Sequence, residues 1–136
     1  MADIRIAWDD PEETVLIVEF IGQFQWIDYF TAFEDAYAKI SSKPHRCYII
    51  TDYTRGWATN AASAITNTKQ IIANAPKNLR MGVVVTSKLA NMIMEAFRRF
   101  DPSSANTVLT APTLDDARRM IAEARAKSRS RDTPAS

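Results

Sequence analysis

The best-placed carboxylate of the chain lies in the stretch YIITDYTRGW, positions 48 to 57, where it ends an apolar run. Asp52 is followed by Tyr53, Thr54, Arg55, a glycine and a tryptophan. A carboxylate at such a place can act as a base, bind a cation or hold the amide of a partner. The alternative, which we favour, is that Asp52 accepts backbone N–H groups and shapes the segment after it.

Two tryptophans fall near the same predicted edge of the protein as Asp52. Trp26 and Trp57 could line a small-molecule pocket beside that carboxylate. Trp26 stands at the start of a predicted helix, where a place in the core explains it equally well. Trp57 follows Gly56 in a predicted loop and has no evident core role. Trp57 is therefore the best single candidate for contact with a partner or ligand.

Other residue types that carry chemistry are scarce. Ser87 and Lys88 follow a predicted buried strand, where free amides and an ammonium group can hold a phosphate or carboxylate, although Ser87 as a helix N-cap is the simpler interpretation. His45 is the only histidine and Cys47 the only cysteine. A histidine-based triad and a multi-histidine metal site are thus excluded within one chain, and we predict no cofactor, metal or catalytic residue.

The second predicted helix has a face of small, uncharged residues. These are Thr59, Asn60, Ser63, Thr66, Asn67 and Thr68. A solvated helix usually carries lysine and glutamate, so such a face favours close approach by another protein. A poorly optimised exposed face remains the alternative.

Composition narrows the class of protein. The chain has 136 residues, 46% of them apolar, which fits one domain with a sizeable core. Its net charge of +1 favours neither nucleic acid nor a membrane surface as a partner. Arginines near the C-terminus could contact phosphates, but the near-neutral net charge favours their role in complementing the dipole of a final helix. The polar N-terminus and the short apolar segment VLIVEFI predict a cytoplasmic protein.

The elements that must position these residues follow the order β-β-α-β-α-β-α-β-α. Alternation over residues 4 to 8 and the apolar run over 14 to 21 predict an antiparallel hairpin. Strands are then predicted at 46 to 51, 81 to 86 and 107 to 110, each preceded by a helix, which predicts right-handed parallel crossovers. The fold class is α/β with a mostly parallel sheet. We expect one domain over residues 1 to 126 and a mobile, basic tail over 127 to 136.

This order resembles the STAS domain, shared by anti-sigma-factor antagonists and sulphate-transporter tails. VLIVEFIGQFQWIDYFTAFEDAYAKI is similar to the strand and first helix of that family, and CYIITDYTRGW to its central strand. The resemblance implies a regulatory, non-enzymatic protein-interaction module. Antagonists of this family carry a phosphorylated serine at the start of the next helix. Asn60 and Ala61 occupy the matching positions here, so a phosphorylation switch is not expected.

Three functions follow, in order of preference. The first is binding of another protein, including a second copy as a homodimer, without contact to nucleic acid or membrane. The second is binding of a small molecule or anion at the carboxyl ends of the parallel strands. The third is an enzyme with a lone carboxylate. The candidate contact residues are Asp52, Tyr53, Thr54, Arg55, Trp57, Thr59, Asn60, Ser63, Ser87 and Lys88.

Overall fold

A computed structural model describes residues 3–59, 63–86 and 108–132. Its elements in chain order are β1 (Asp3–Trp8), β2 (Val15–Phe24), α1 (Trp26–Ser41), β3 (Cys47–Ala58), α2 (Ala64–Ala73), β4 (Leu79–Val85), β5 (Val108–Ala111) and α3 (Leu114–Asp132). The helix predicted from Leu89 to Phe100 lies outside the described residues.

The five strands form one sheet in the order β1-β2-β3-β4-β5. β1 and β2 are antiparallel, with Ile4 opposite Phe20, and the remaining neighbours are parallel. The predicted hairpin and the mostly parallel α/β sheet are thus confirmed. No helix in the described ranges is long and apolar enough to cross a membrane.

The hairpin turn is held by one carboxylate. Asp10 Oδ1 accepts the amides of Thr14 and Val15, both at 2.9 Å, and its other oxygen accepts the Thr14 hydroxyl. Burial by itself would raise the pKa of Asp10, but these hydrogen bonds outweigh burial, so the pKa lies below its ordinary value. The turn therefore depends on the ionised form of Asp10.

The sheet separates two apolar layers. The layer on one face is formed by buried residues of the sheet together with those of α1 and α2, and includes Leu16, Phe20, Tyr29, Phe33, Ile49 and Ile71. The layer on the other face is formed by buried residues of the sheet together with those of α3, and includes Val15, Tyr48, Ile50, Val83, Ala117 and Ile121. β3 contributes alternate side chains to both layers, as a central strand between two helical layers must.

Local sequence explains where α1 and α3 begin. Gln25 and Asp28 form a capping box at the start of α1. At α3, the Thr113 hydroxyl accepts the amide of Asp116 at 3.1 Å, as the capping-box-like pair predicts. α3 continues to Asp132, past the predicted boundary at residue 126. The proposal that the domain needs nothing beyond that boundary stays a prediction.

The predicted ends of the second and third strands are wrong. β2 runs to Phe24 instead of residue 21, and β3 runs to Ala58 instead of residue 51. The two strands continue because each supplies the other with a parallel partner, up to Phe24 opposite Ala58. Asp52 therefore lies within a strand, and Trp57 lies on that strand and not in a loop.

Candidate functional site

A β-bulge divides β3 into two parts. Glu19 lies opposite Asp52, but the next pair on β2 and β3 is Ile21 with Arg55. β3 thus advances three residues where β2 advances two, which places one extra residue in β3. The side-chain alternation of β3 changes phase at this point, because one additional residue exchanges the two faces of a strand.

The carboxylate of Asp52 stabilises this bulge. Its Oδ1 atom accepts the amide of Thr54 at 2.9 Å and the Thr54 hydroxyl at 2.7 Å. Asp52 is buried, with 8% of its surface exposed. The geometry of Asp52 therefore agrees with the interpretation as an acceptor for backbone N–H groups, since its carboxylate binds the amide within the bulge of its own strand.

Tyr53 turns into the core. Its ring lies 5.1 Å from the ring of Phe20 and 6.0 Å from that of Phe24, measured between centroids. Burial, together with the neighbouring phenol of Tyr29, raises the pKa of Tyr53 well above its ordinary value. Tyr53 thus belongs to the aromatic layer on the side of the sheet that α1 covers.

Arg55 and Trp57 face the other side of the sheet, towards solvent. Arg55 Nη2 lies 3.0 Å from Glu19 Oε2, and the arginine side chain is 60% exposed. Trp57 lies opposite Gln23 of β2 and is 59% exposed. These residues extend beyond the end of β4, whose last partner on β3 is Asp52. We call Arg55 and Trp57, together with Gln23 of β2, the outer β3 surface.

The remaining predicted residues lie just after β3, before or within α2, or outside the described residues. Thr59 donates both its amide and its hydroxyl to the carbonyl of Phe24. Ser63 precedes α2 and makes no side-chain cap, while Thr68 hydrogen-bonds Tyr29 and faces the core. Asn60, Ser87 and Lys88 lie outside the described residues.

Sequence reasoning placed Gln23 at this edge of the sheet but did not single out Glu19. Glu19 pairs with Arg55, and Gln23 lies beside Trp57. Ile27, in the first turn of α1, is 70% exposed. Glu19 had a signal in the sequence, because it is the only charge in the apolar run VLIVEFI.

Searches against protein-family models and curated proteins found no match to this chain. Two solved structures are similar. One is an uncharacterised protein of the DUF3478 family with a SpoIIAA-like fold from Shewanella loihica PV-4, with a TM-score of 0.57 and 16% identity, covering 88% of this chain and 92% of the other. The second is an anti-sigma factor antagonist from Mycobacterium paratuberculosis, with a TM-score of 0.58 and 15% identity, covering 88% and 93%.

These likenesses concern the fold. Within the described residues of this chain, that fold is a five-stranded sheet in which β1 and β2 are antiparallel and the other neighbours are parallel. The chain therefore has the SpoIIAA-like fold that its resemblance to the STAS domain implied.

Proposed function

We propose that this chain is a non-enzymatic regulatory module that binds another protein through the outer β3 surface. The observation that carries the proposal is the 59% exposure of Trp57 on a hydrogen-bonded strand. An exposed indole is costly to leave in water and is a frequent anchor at interfaces. A strand holds such an anchor in one orientation, so less conformational entropy is lost on binding than with a loop.

The bulge supports this proposal because it aims the anchor. Tyr48 and Ile50 face α3, so an uninterrupted strand would direct position 57 towards the α1 layer. The extra residue between Asp52 and Arg55 reverses this phase and directs Trp57 outward. Bulges that re-aim a side chain are common next to functional sites. In this proposal Asp52 is a positioning residue for Trp57.

The similar solved structures support one kind of partner. One solved neighbour is an anti-sigma factor antagonist, and this supports a regulatory protein as the partner. We propose the cytoplasm as the place of this interaction. Ala61 stands where antagonists of the STAS family carry the phosphorylated serine. The proposed binding therefore does not include a phosphorylation switch at the start of α2.

A small-ligand site has less support from the geometry. The Asp52 carboxylate is engaged with Thr54, and Trp57 is exposed where a pocket would require it to be covered. We assign no catalytic residue, because the buried carboxylate serves the bulge.

The proposal can be tested by quantitative co-purification with the tagged chain from its own host, followed by calorimetry with the purified candidate partner. Trp57→Ala should weaken binding about 30-fold, as loss of an interface hot spot does. Ile27→Ala is the matched control, since Ile27 is a comparably exposed apolar residue on α1, the helix that covers the opposite face of the sheet from Trp57. A candidate that binds wild type and Trp57→Ala equally, or fails to bind wild type in calorimetry, would contradict the proposal.

A further inference from the structure

The outer half of β3 has hydrogen-bonding groups on an edge that no described strand covers. β4 ends at Val85, opposite Asp52, and the amide of Thr86 donates to Ala111 of β5. On the other side, β2 accompanies β3 as far as Ala58. In the part of the chain that the structure describes, residues 53–58 therefore have a strand neighbour on one side alone.

The direction of these groups follows from the ladder. A strand residue directs its amide and its carbonyl to the same neighbour, and successive residues alternate. Thr59 directs its amide to Phe24 of β2. Ala58 precedes Thr59, and Gly56 lies two residues before Ala58. Because successive residues alternate, Gly56 and Ala58 direct their amides and carbonyls to the edge away from β2.

Residues 53–58 themselves lack the sequence features that usually block strand addition. Natural edges carry lysine, proline or an inward-pointing charge that blocks pairing. Residues 53–58 contain no proline, and their one charged side chain, Arg55, is held by Glu19 of β2. The edge therefore favours an added strand as its occupant, because an extended backbone satisfies its alternating donors and acceptors.

The sequence of the edge is complementary to itself. If two copies pair antiparallel about a two-fold axis at Gly56, Arg55 of each copy lies opposite Trp57 of the other. Gly56 then forms the hydrogen-bonded pair on the axis, and Arg55 with Trp57 forms a non-hydrogen-bonded pair, in which side chains come closest. A guanidinium beside an indole is a favourable cation–π pair. The two-fold axis produces this contact twice, on the solvent-facing side of β3.

We propose that a second copy of this chain occupies the edge, through antiparallel pairing of β3 with β3 about Gly56 and two reciprocal Arg55–Trp57 contacts. The inference goes beyond the proposed function, because it concerns the purified chain alone. It fixes the partner, the register and the residues in contact. A copy that uses Trp57 in this way cannot present the same indole to a different protein.

Sedimentation equilibrium of the purified full chain, over a wide concentration range, tests the proposal. Wild type should show a monomer–dimer equilibrium. Trp57→Arg places two arginines opposite each other and should raise the dimer dissociation constant about tenfold or more. The double variant Arg55→Trp/Trp57→Arg exchanges the two partners, keeps their complementarity, and should recover most of the dimer. An unchanged melting temperature of the dilute variants is the control for folding.

A second measurement needs no variant. In hydrogen exchange, the amides of Gly56 and Ala58 should become more protected as wild-type concentration rises, while the amide of Thr59, already bonded to Phe24, should not change. A monomer at all concentrations, or a dimer without added protection at Gly56 and Ala58, overturns the inference. So does a double variant that dissociates as readily as Trp57→Arg. Failure of the proposed function would instead appear in calorimetry with the partner.

Discussion

Asp52 and Thr54 are joined by two hydrogen bonds within β3, in which one carboxylate oxygen of Asp52 accepts the Thr54 amide at 2.9 Å and the Thr54 hydroxyl at 2.7 Å. The amide belongs to the bulge, where the regular ladder is interrupted, so the carboxylate supplies the acceptor that the ladder does not. This contact links the first half of β3, which is central in the sheet, to the outer half that carries Trp57.

Replacing Asp52 should separate the role of its oxygen from the role of its charge. Asp52→Asn keeps an acceptor oxygen, so we expect a loss of about 1 kcal/mol or less in the free energy of unfolding. Asp52→Ala leaves the Thr54 amide without its acceptor, and the expected loss is about 1–3 kcal/mol. Urea denaturation of both variants measures the difference. If Asp52→Asn costs as much as Asp52→Ala, the charge itself is required and the simple acceptor role is wrong.

Acid should weaken the turn between β1 and β2 through Asp10. Its pKa in the folded protein lies below its ordinary value of 3.8, so the folded state binds fewer protons than the unfolded state in this range. The stabilisation is fully present well above pH 3.8 and is lost as the pH falls through the lowered value. Asp10→Asn keeps an acceptor and cannot titrate, so its stability should change less between pH 6 and acidic pH.

Urea denaturation at several pH values checks this comparison, because the other carboxylates titrate in both proteins. The slope of stability against pH in the acid range should be smaller for Asp10→Asn than for wild type. Equal slopes would mean that Asp10 has the same pKa in the folded and unfolded states.

Residues beyond 127 should be dispensable for folding. Among the described side chains of α3, Ala117 and Ile121 are buried in the second layer, and Leu114, Met120 and Ala124 pack partly against it, all before residue 127. The bidentate contact of Arg118 with Asp9 also lies before residue 127. Deleting residues 128–136 should therefore leave the melting temperature almost unchanged in a thermal scan. A fall of several degrees would show that the end of α3 packs on the domain.

The element order was accessible from sequence because each element carries its own periodicity. Ile4, Ile6 and Trp8 alternate along β1 and all pack on the α1 layer. Tyr29, Phe33 and Ile40 repeat at helical spacing and are buried in α1. Such patterns are local, so they can be recognised without knowledge of the neighbouring strand or helix.

The outer half of β3 could not be predicted because the interactions that determine its conformation are not local in sequence. Its polar residues are typical of a loop, and its strand conformation depends on β2 continuing beside it. The bulge also interrupts the alternation, which hides Tyr53 among outward-facing residues although its ring packs on Phe20. Gly56 looked like a loop residue, yet a Cβ there would lie 2.4 Å from the carbonyl oxygen of Phe20, so close strand approach accounts for it.

Truncation of the two tryptophans at this end of the sheet should have different effects on stability. Trp57 is 59% exposed, so Trp57→Ala should leave the melting temperature within about 2 °C of wild type, as surface substitutions usually do. Trp26 packs edge-on against Tyr29 and Phe24, with ring centroids 4.8 and 5.8 Å away. Trp26→Ala removes those contacts and should lower the free energy of unfolding by about 2–4 kcal/mol, since it is only partly buried.

Thermal and urea denaturation of the two variants, side by side, measure this contrast, and each serves as the control for the other. Binding through the outer β3 surface is tested with variants that lack the Trp57 indole, so those variants must remain folded. If Trp57→Ala unfolds the domain, Trp57 contributes to the core and the surface loses its anchor. If Trp57→Ala stays folded while Trp26→Ala is destabilised, changes in association caused by Trp57→Ala can be assigned to the outer β3 surface itself.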